Sequence, residues 1–352
     1  LVRSRGLGDV YKRQILGADV YLFPTLIALG FAVYVIFLNF RGASSAAKLQ
    51  AFLTKALLCG MLLAMGVSLF TGSPDNAMPV FSQVAGAGGG KAATESTSLF
   101  AGIVSVLVLT PFFYAGFDTI PQQAEEAAEG LNWNKFGKII SLALLAAGGF
   151  YMVCIYSFGT ILDWHEFVKS PVPALACLKG INMLLYLAML VIATLGPMGP
   201  MNSFYGATSR IMLAMGRKGQ LPEQFAEVDP KSGAPKLACV VLGVITVVGP
   251  FLGKNMLIPL TNVSALAFIF SCGMVALACL RMRFTEPDLP RPYEVPGGKF
   301  GISLAIAACA IIIGLLVIPF SPASLNMVEW SIVIGWLAIG LALMAFTNSR
   351  KK

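Results

Sequence analysis

Apolar residues in this chain gather into runs of about twenty, enough for a helix rising about 1.5 Å per residue to cross a hydrocarbon core of about 30 Å. Nine such runs can be marked, at residues 20–40, 49–71, 99–121, 137–162, 181–208, 237–253, 256–280, 300–320 and 327–347. Short polar connections separate them and hold most of the charge. The pattern predicts an all-α, polytopic transmembrane helical bundle. The first fourteen residues, LVRSRGLGDVYKRQ, stand apart: they are basic, follow no hydrophobic period and begin at Leu1. They lack both the apolar stretch of about 7 to 15 residues and the small-residue cleavage site of a secretory leader. Residues 1–14 are therefore expected to lie outside the membrane domain, 15–352, either as a joining scar on a truncated chain or as a polar loop of a longer protein.

The sign of the connections orients the bundle. With Arg350, Lys351 and Lys352 in the cytoplasm, the alternate connections place sixteen Lys and Arg residues on that side, Arg41, Lys48, Arg210, Arg281 and Arg291 among them. The other side holds four, Lys91, Lys169, Lys179 and Lys254. Such a bias predicts a cytoplasmic C-terminus. Arg3, Arg5, Lys12 and Arg13 of the leader fall on the wrong side, a second reason to set residues 1–14 apart.

Composition narrows the function classes. Hydrophobic residues make up 57% of the 352 and charged residues 12%, about half the charged share of an average soluble domain, which excludes an ordinary soluble protein. The net charge of +8 is spread over short loops, unlike the single basic face of a nucleic-acid binder, so no nucleic-acid partner is expected. Seven cysteines form no CxxC pair, and all but Cys177 lie in apolar runs, so neither a disulfide framework nor a zinc site follows. His165 is the one histidine and sits in a polar connection. No metal, cofactor or catalytic residue is expected. The GAGGGKAA stretch near Lys91 lacks the glycine spacing and the following Ser or Thr of a P-loop, and no strand precedes it.

One acidic residue, Asp118, lies well inside an apolar run, where a carboxylate costs about 2.5 to 3.5 kcal/mol on insertion scales. Pro111 and Pro121 flank it, and Gly116 stands between them. Each proline removes a main-chain donor and the glycine admits unusual dihedrals, so this helix is predicted to be interrupted. Interrupted helices at membrane depth line cavities or are buried in protein, where their freed N–H and C=O groups suit the two charges of a zwitterion. A proline-kinked helix with Asp118 bonded to a neighbour is the alternative.

Here the residues become specific. The run FFYAGFDTIPQQAEE at 112–126 resembles the sixth helix of the amino acid-polyamine-organocation superfamily, with an aromatic, a glycine and an acid before an AEE-type cytoplasmic end. SRIMLAMGRKGQLP at 209–222 resembles the end of its eighth helix, LNFRG at 38–42 the end of its fourth, and PDLPRPYEVPGG at 287–298 the stretch after its tenth. The resemblance implies that the nine spans are family helices four to twelve, with helices one to three missing. It further implies a partial inverted-repeat, five-plus-five transporter fold carrying half of the substrate site.

Carried over by position, the resemblance makes Phe112, Phe113, Tyr114, Ala115, Gly116 and Phe117 substrate-facing, with Asn202, Ser203 and Phe204 turned to the same cavity. Asp118 becomes the proton-coupling candidate. Pro200 and Met201 stand where sodium-coupled relatives carry hydroxyls, which argues against a sodium site. Gly196, Pro197, Gly199 and Pro200 predict a bend or close helix packing. Lys55 is two residues from the position of the family's buried lysine, which would be Leu57, and two residues turn a helix by about 200°. Lys55 is therefore expected to snorkel. The 121–138 loop, with Glu125, Glu126, Glu129, Lys135 and Lys138, matches an inner-gate loop, and the connection opening at Asp163, Trp164, His165 and Glu166 matches one that forms short lid helices. Asn262 and Ser264 are read as packing polars.

These residues imply a secondary active transporter, a permease of amino acids or related amines in the cytoplasmic membrane, proton-coupled or an exchanger. Its partners would be the small-molecule substrate and the lipid bilayer. The alternative is an incomplete, non-transporting fragment of such a permease. A membrane-embedded enzyme would need a nucleophile with its base, or a metal-ligand cluster, at membrane depth, and neither is present in the sequence.

Overall fold

The computed structural model describes residues 12–15, 18–78, 99–122, 132–163, 167, 172–291, 293–321 and 323–349. The chain enters through an antiparallel hairpin of β1 (Lys12–Ile15) and β2 (Ala18–Tyr21), Lys12 opposite Tyr21 and Ile15 opposite Ala18. The boundary expected after residue 14 thus falls inside β1. After the hairpin, the long elements among the described residues are all helices. The first long helices are α1 (Leu22–Phe40) and α2 (Ala43–Thr71), then α3 (Leu99–Tyr114) with its short continuation α4 (Thr119–Gln122), and α5 (Trp133–Gly159). A nine-residue helix, α6 (Pro173–Ile181), precedes α7 (Met183–Leu195) and α8 (Met198–Arg217). The chain ends with α9 (Lys236–Val248), α10 (Leu257–Thr285), α11 (Gly298–Val317) and α12 (Met327–Ser349).

All nine apolar runs are helical over most of their length. Among the described residues eight segments are long and apolar enough to cross a membrane, the pairs α3–α4 and α7–α8 each counting as one, so this is a multi-pass membrane protein. The expected sixth span, 237–253, is the exception. Its Lys236–Leu252 segment is shorter because α9 stops at Gly249-Pro250, tightens into a 3-10 turn and ends at Gly253 with φ of 72°. Proline cannot continue the ladder of hydrogen bonds there.

Side-chain caps explain where several helices begin. Asn132 accepts from the Lys135 N–H (3.0 Å) at the start of α5, and Asn182 accepts from Leu184 and Leu185 (2.8 and 3.2 Å) at the start of α7. The start of α12 is a reciprocal capping box: Asn326 Oδ1 accepts from the Glu329 N–H (3.0 Å), and Glu329 Oε2 accepts from the Asn326 N–H (2.7 Å). Asn262 of α10 donates to the other Glu329 oxygen (2.6 Å), so a nearly fully buried carboxylate ties α12 to α10. Asn262 was expected to pack; its amide instead has this specific partner.

Three apolar clusters hold the bundle. Val35, Leu53, Met198, Tyr205 and Cys239 join α1, α2, α8 and α9. Ala64, Met65, Phe158, Leu178 and Met189 join α2, α5, α6 and α7, so α6, which lies in the connection expected to carry a lid helix, is anchored by a fully buried leucine. Val108, Leu316 and Leu325 join α3, α11 and the entry to α12. The outward faces are lined by exposed large apolar side chains, such as Leu142, Leu145 and Ile155 of α5 and Trp336 and Ile339 of α12. A hydrocarbon environment accepts such a surface without cost.

The 287–298 stretch is a strap across the end of α10. The Arg291 guanidinium donates to four carbonyls, those of Met282 and Glu286 at 3.2 and 2.6 Å and those of Pro287 and Leu289 at 2.8 and 2.9 Å. These bonds tie the end of α10 to the stretch that follows it. Two residues on, the Tyr293 ring lies against Gly137 of α5, where a Cβ would come within 2.7 Å of it. A lysine has no planar fork, so Arg291→Lys is expected to lose about 1–2 kcal/mol of charge-assisted bonding. The amides of residues 282–286 should then exchange faster with deuterium, while those of α11 keep their protection.

Candidate functional site

The interruption expected between Pro111 and Pro121 is present. Pro111 lies inside α3, which ends at Tyr114, and four residues of turn separate it from α4. Gly116 has φ of 128°, a region that side-chain-bearing residues avoid. Asp118 organises the break: Oδ1 accepts from the Gly116 N–H and Oδ2 from the Gln122 side-chain amide, both at 2.9 Å. Thr119 Oγ1 donates to the Gly116 carbonyl (2.6 Å), and the Tyr151 hydroxyl of α5 donates to the Phe113 carbonyl (2.9 Å). Among the described residues, the carbonyls of Tyr114 and Ala115 and the N–H groups of Phe117 and Asp118 make no hydrogen bond. The break therefore offers main-chain groups of both polarities.

A second interruption lies at residues 196 and 197, where Gly196-Pro197 separates α7 from α8. Two glycines there let α2 come close. A Cβ at Gly196 would meet Leu57 Cδ1 at 3.0 Å, and one at Gly199 would meet the Gln50 amide at 3.4 Å. The bend and the small-residue packing read from this stretch are thus the same feature.

The two interruptions and α2 enclose a cleft of about 310 Å³. From α2 it takes Gln50, Leu53, Thr54 and Leu57; from the break Ala115, Gly116 and Thr119; from α7–α8 Gly196, Gly199, Pro200, Ser203 and Phe204. The α2 residues are spaced i, i+3, i+4, i+7, one face of a helix. Lys55 is off that face and exposed, whereas Leu57 is on it.

Of the residues expected at the site, Ala115, Gly116, Ser203 and Phe204 line the cleft. Phe112, Phe113, Tyr114 and Phe117 do not. Phe112 and Phe113 are exposed and meet edge to face at 6.1 Å; Tyr114 packs on Tyr151 of α5 at 6.1 Å, and Phe117 on Phe268 of α10 at 5.9 Å. Asn202 is buried behind the cleft wall: its Oδ1 accepts from Asn39 Nδ2 (2.9 Å), and its Nδ2 donates to the Ala46 carbonyl (3.0 Å). It ties α1, α2 and α8 together. Sequence reasoning passed over Gln50, Leu53, Thr54 and Thr119 as lining residues; the α2 stripe was its available signal. Glu125, Glu126, Glu129, Trp164, His165 and Glu166 lie outside the described residues.

The turn before α9 is built on one carboxylate. Asp229 Oδ2 accepts from the Ser232 N–H and hydroxyl, both at 2.9 Å, and Oδ1 lies 3.2 Å from Lys236 Nζ. The Ser232 bonds, with Lys236 adding to them, hold the Asp229 carboxyl down at about 2.

Comparison with known proteins agrees with the architecture. The profile of the amino acid permease family matches residues 14–344. A branched-chain amino acid permease of Bacillus subtilis (strain 168) is 28% identical over 257 residues, 72% of this chain and 51% of that protein. The cystine/glutamate transporter of Homo sapiens is 26% identical over 274 residues, 77% of this chain and 51% of its own. A vacuolar cationic amino acid transporter of Arabidopsis thaliana is 27% identical over 292 residues, 79% and 41% respectively. The chain spans about half the length of these curated relatives.

Proposed function

Because this chain belongs to the amino acid permease family, we propose that it serves secondary active transport of amino acids or related amines, and that the cleft is its share of the substrate site. The observation that carries this is the broken helix along one cleft wall, with the unpaired Ala115 carbonyl on that wall and the unpaired Tyr114 carbonyl and Phe117 and Asp118 N–H groups beside it. An α-ammonium is bound by carbonyls and an α-carboxylate by N–H donors, so a break of this kind suits an amino acid without a charged side chain having to supply the contact. Thr119 and Ser203 add hydroxyls to the cleft wall, and Phe204 closes it on the α8 side. No covalent step is involved. Binding energy that differs between two access states is sufficient for transport.

In this reading the nine apolar segments correspond to family helices four to twelve, the C-terminus is cytoplasmic, and the membrane is that of the cell. The basic residues support the orientation: Arg281 and Arg283 near the end of α10 and Lys299 at the start of α11 flank the same connection, with Lys299 Nζ over the Phe284 ring at 4.1 Å. Proton coupling is assigned to Asp118, the ionisable group at the break.

The test is uptake of radiolabelled amino acids into proteoliposomes. Accumulation should follow an inward proton gradient and collapse with a protonophore. Asp118→Asn should flatten the pH dependence of uptake while keeping exchange between preloaded and external substrate. An unchanged pH profile would leave Asp118 with the tie to Gly116 and Gln122 alone. Absence of both uptake and exchange in the parent chain would overturn the transport reading.

A further inference from the structure

Resting on the reading of the cleft as an amino acid site, we propose that its substrate carries an uncharged, apolar side chain. Every described residue lining the cleft is uncharged. Its polar members, Gln50, Thr54, Thr119 and Ser203, offer only amide and hydroxyl groups, and the remainder of the wall is aliphatic, aromatic or glycine. At about 310 Å³, the space is at the small end of ligand pockets, which run from about 300 to 1,000 Å³.

Among the described residues, the charged side chains nearby are not part of its lining. Both oxygens of Asp118 are already accepting hydrogen bonds, from Gly116 and from Gln122 at 2.9 Å. Lys55 is displaced from the lining face of α2 by the turn between Leu53 and Leu57 and is exposed. Arg210 lies seven positions beyond Ser203, about two helical turns or 10 Å along α8, and its guanidinium is held on Ser209 Oγ at 3.0 Å. A lysine or glutamate side chain entering the cleft would lose its water and gain no opposite charge, a transfer that is costly unless the charge is paired. A leucine side chain entering the same space gains from its burial against Leu53, Leu57 and Phe204.

The test uses the purified full chain in detergent. A ligand that binds the folded state raises the unfolding midpoint, so midpoints are followed against concentrations of L-leucine, L-lysine and L-glutamate. L-Leucine should half-saturate the shift at a concentration at least tenfold below either charged amino acid. Thr54→Asp adds a carboxylate to the cleft wall and should bring L-lysine binding up at least tenfold while weakening L-leucine. If the variant does not fold, the three ligands on the parent chain decide the matter. Equal or tighter binding of L-lysine or L-glutamate by the parent overturns the substrate class but leaves the site in place. No shift with any of the three overturns the site itself, and the class with it.

Discussion

Gly116→Ala is expected to weaken substrate binding by tenfold or more while leaving the bundle folded. The effect comes from the backbone alone. A Cβ built at Gly116 meets nothing within 4 Å, so space is not limiting, but φ there is 128°. An alanine held in that region stores about 1–3 kcal/mol of strain, and every 1.4 kcal/mol diverted from binding is about tenfold in Kd. Relaxing the strain would rotate the peptide that donates to Asp118 Oδ1 and carries the carbonyl accepting from Thr119. Gly66→Ala is the control: it lies in the middle of α2 and also has nothing within 4 Å, but its dihedral is helical. That exchange should be neutral or stabilising by about 0.5–1 kcal/mol. Thermal midpoints and ligand titrations of the two variants, taken side by side, separate the break from the generic effect of adding a methyl group. Equal behaviour would mean that the Gly116 conformation does not matter to the site.

The second large effect is expected at Asn202, and it should appear in stability rather than in binding. Its side chain is 3% exposed and bonded to Asn39 and to the Ala46 carbonyl. Removing the amide with Asn202→Ala deprives buried groups of their partners, at about 1–3 kcal/mol. Asn202→Asp should be worse. One oxygen of the new carboxylate would still accept from Asn39, but the other would face the Ala46 carbonyl where an N–H stood, and an uncompensated buried charge costs about 3–5 kcal/mol. Asn39→Ala combined with Asn202→Ala should lose less than the sum of the single losses, since the two side chains share a bond. Unfolding midpoints of the four proteins measure that coupling. If Asn202→Ala instead kept the midpoint and lost only ligand affinity, Asn202 would be a substrate contact, as its position in the sequence had suggested, and not a tie between helices.

How much of this was legible beforehand depended on how the information is written in the chain. Asp118 could be found because a lone acid within an apolar run is conspicuous whatever its partners. The break could be found because Pro111, Gly116 and Pro121 each carry their constraint locally. Glu329 was equally accessible in principle, as the fourth residue of an Asn-x-x-Glu capping box beginning at Asn326, but its position at the edge of an apolar run concealed its burial. The off-face placement of Lys55 was readable from helical phase alone, because α2 is continuous from Ala43 to Thr71.

Phe117, beyond the break, shows where that kind of reading stops. A helix turns about 100° per residue, so facing can be counted only along an unbroken segment. At Gly116 the count is reset by a backbone angle that glycine permits but does not specify. The phase after the break depends on the neighbours that hold it, among them Phe268 on Phe117 and Gln122 on Asp118. The sequence by itself determined the membrane, the apolar segments, their orientation bias and the place of the interruption, because length, hydropathy and proline act through short-range physics. Tertiary structure alone decided which side chains meet across α2, the break and the α7–α8 bend. That outcome depends on close approach at Gly196 and Gly199, and on a phase the broken helix does not encode.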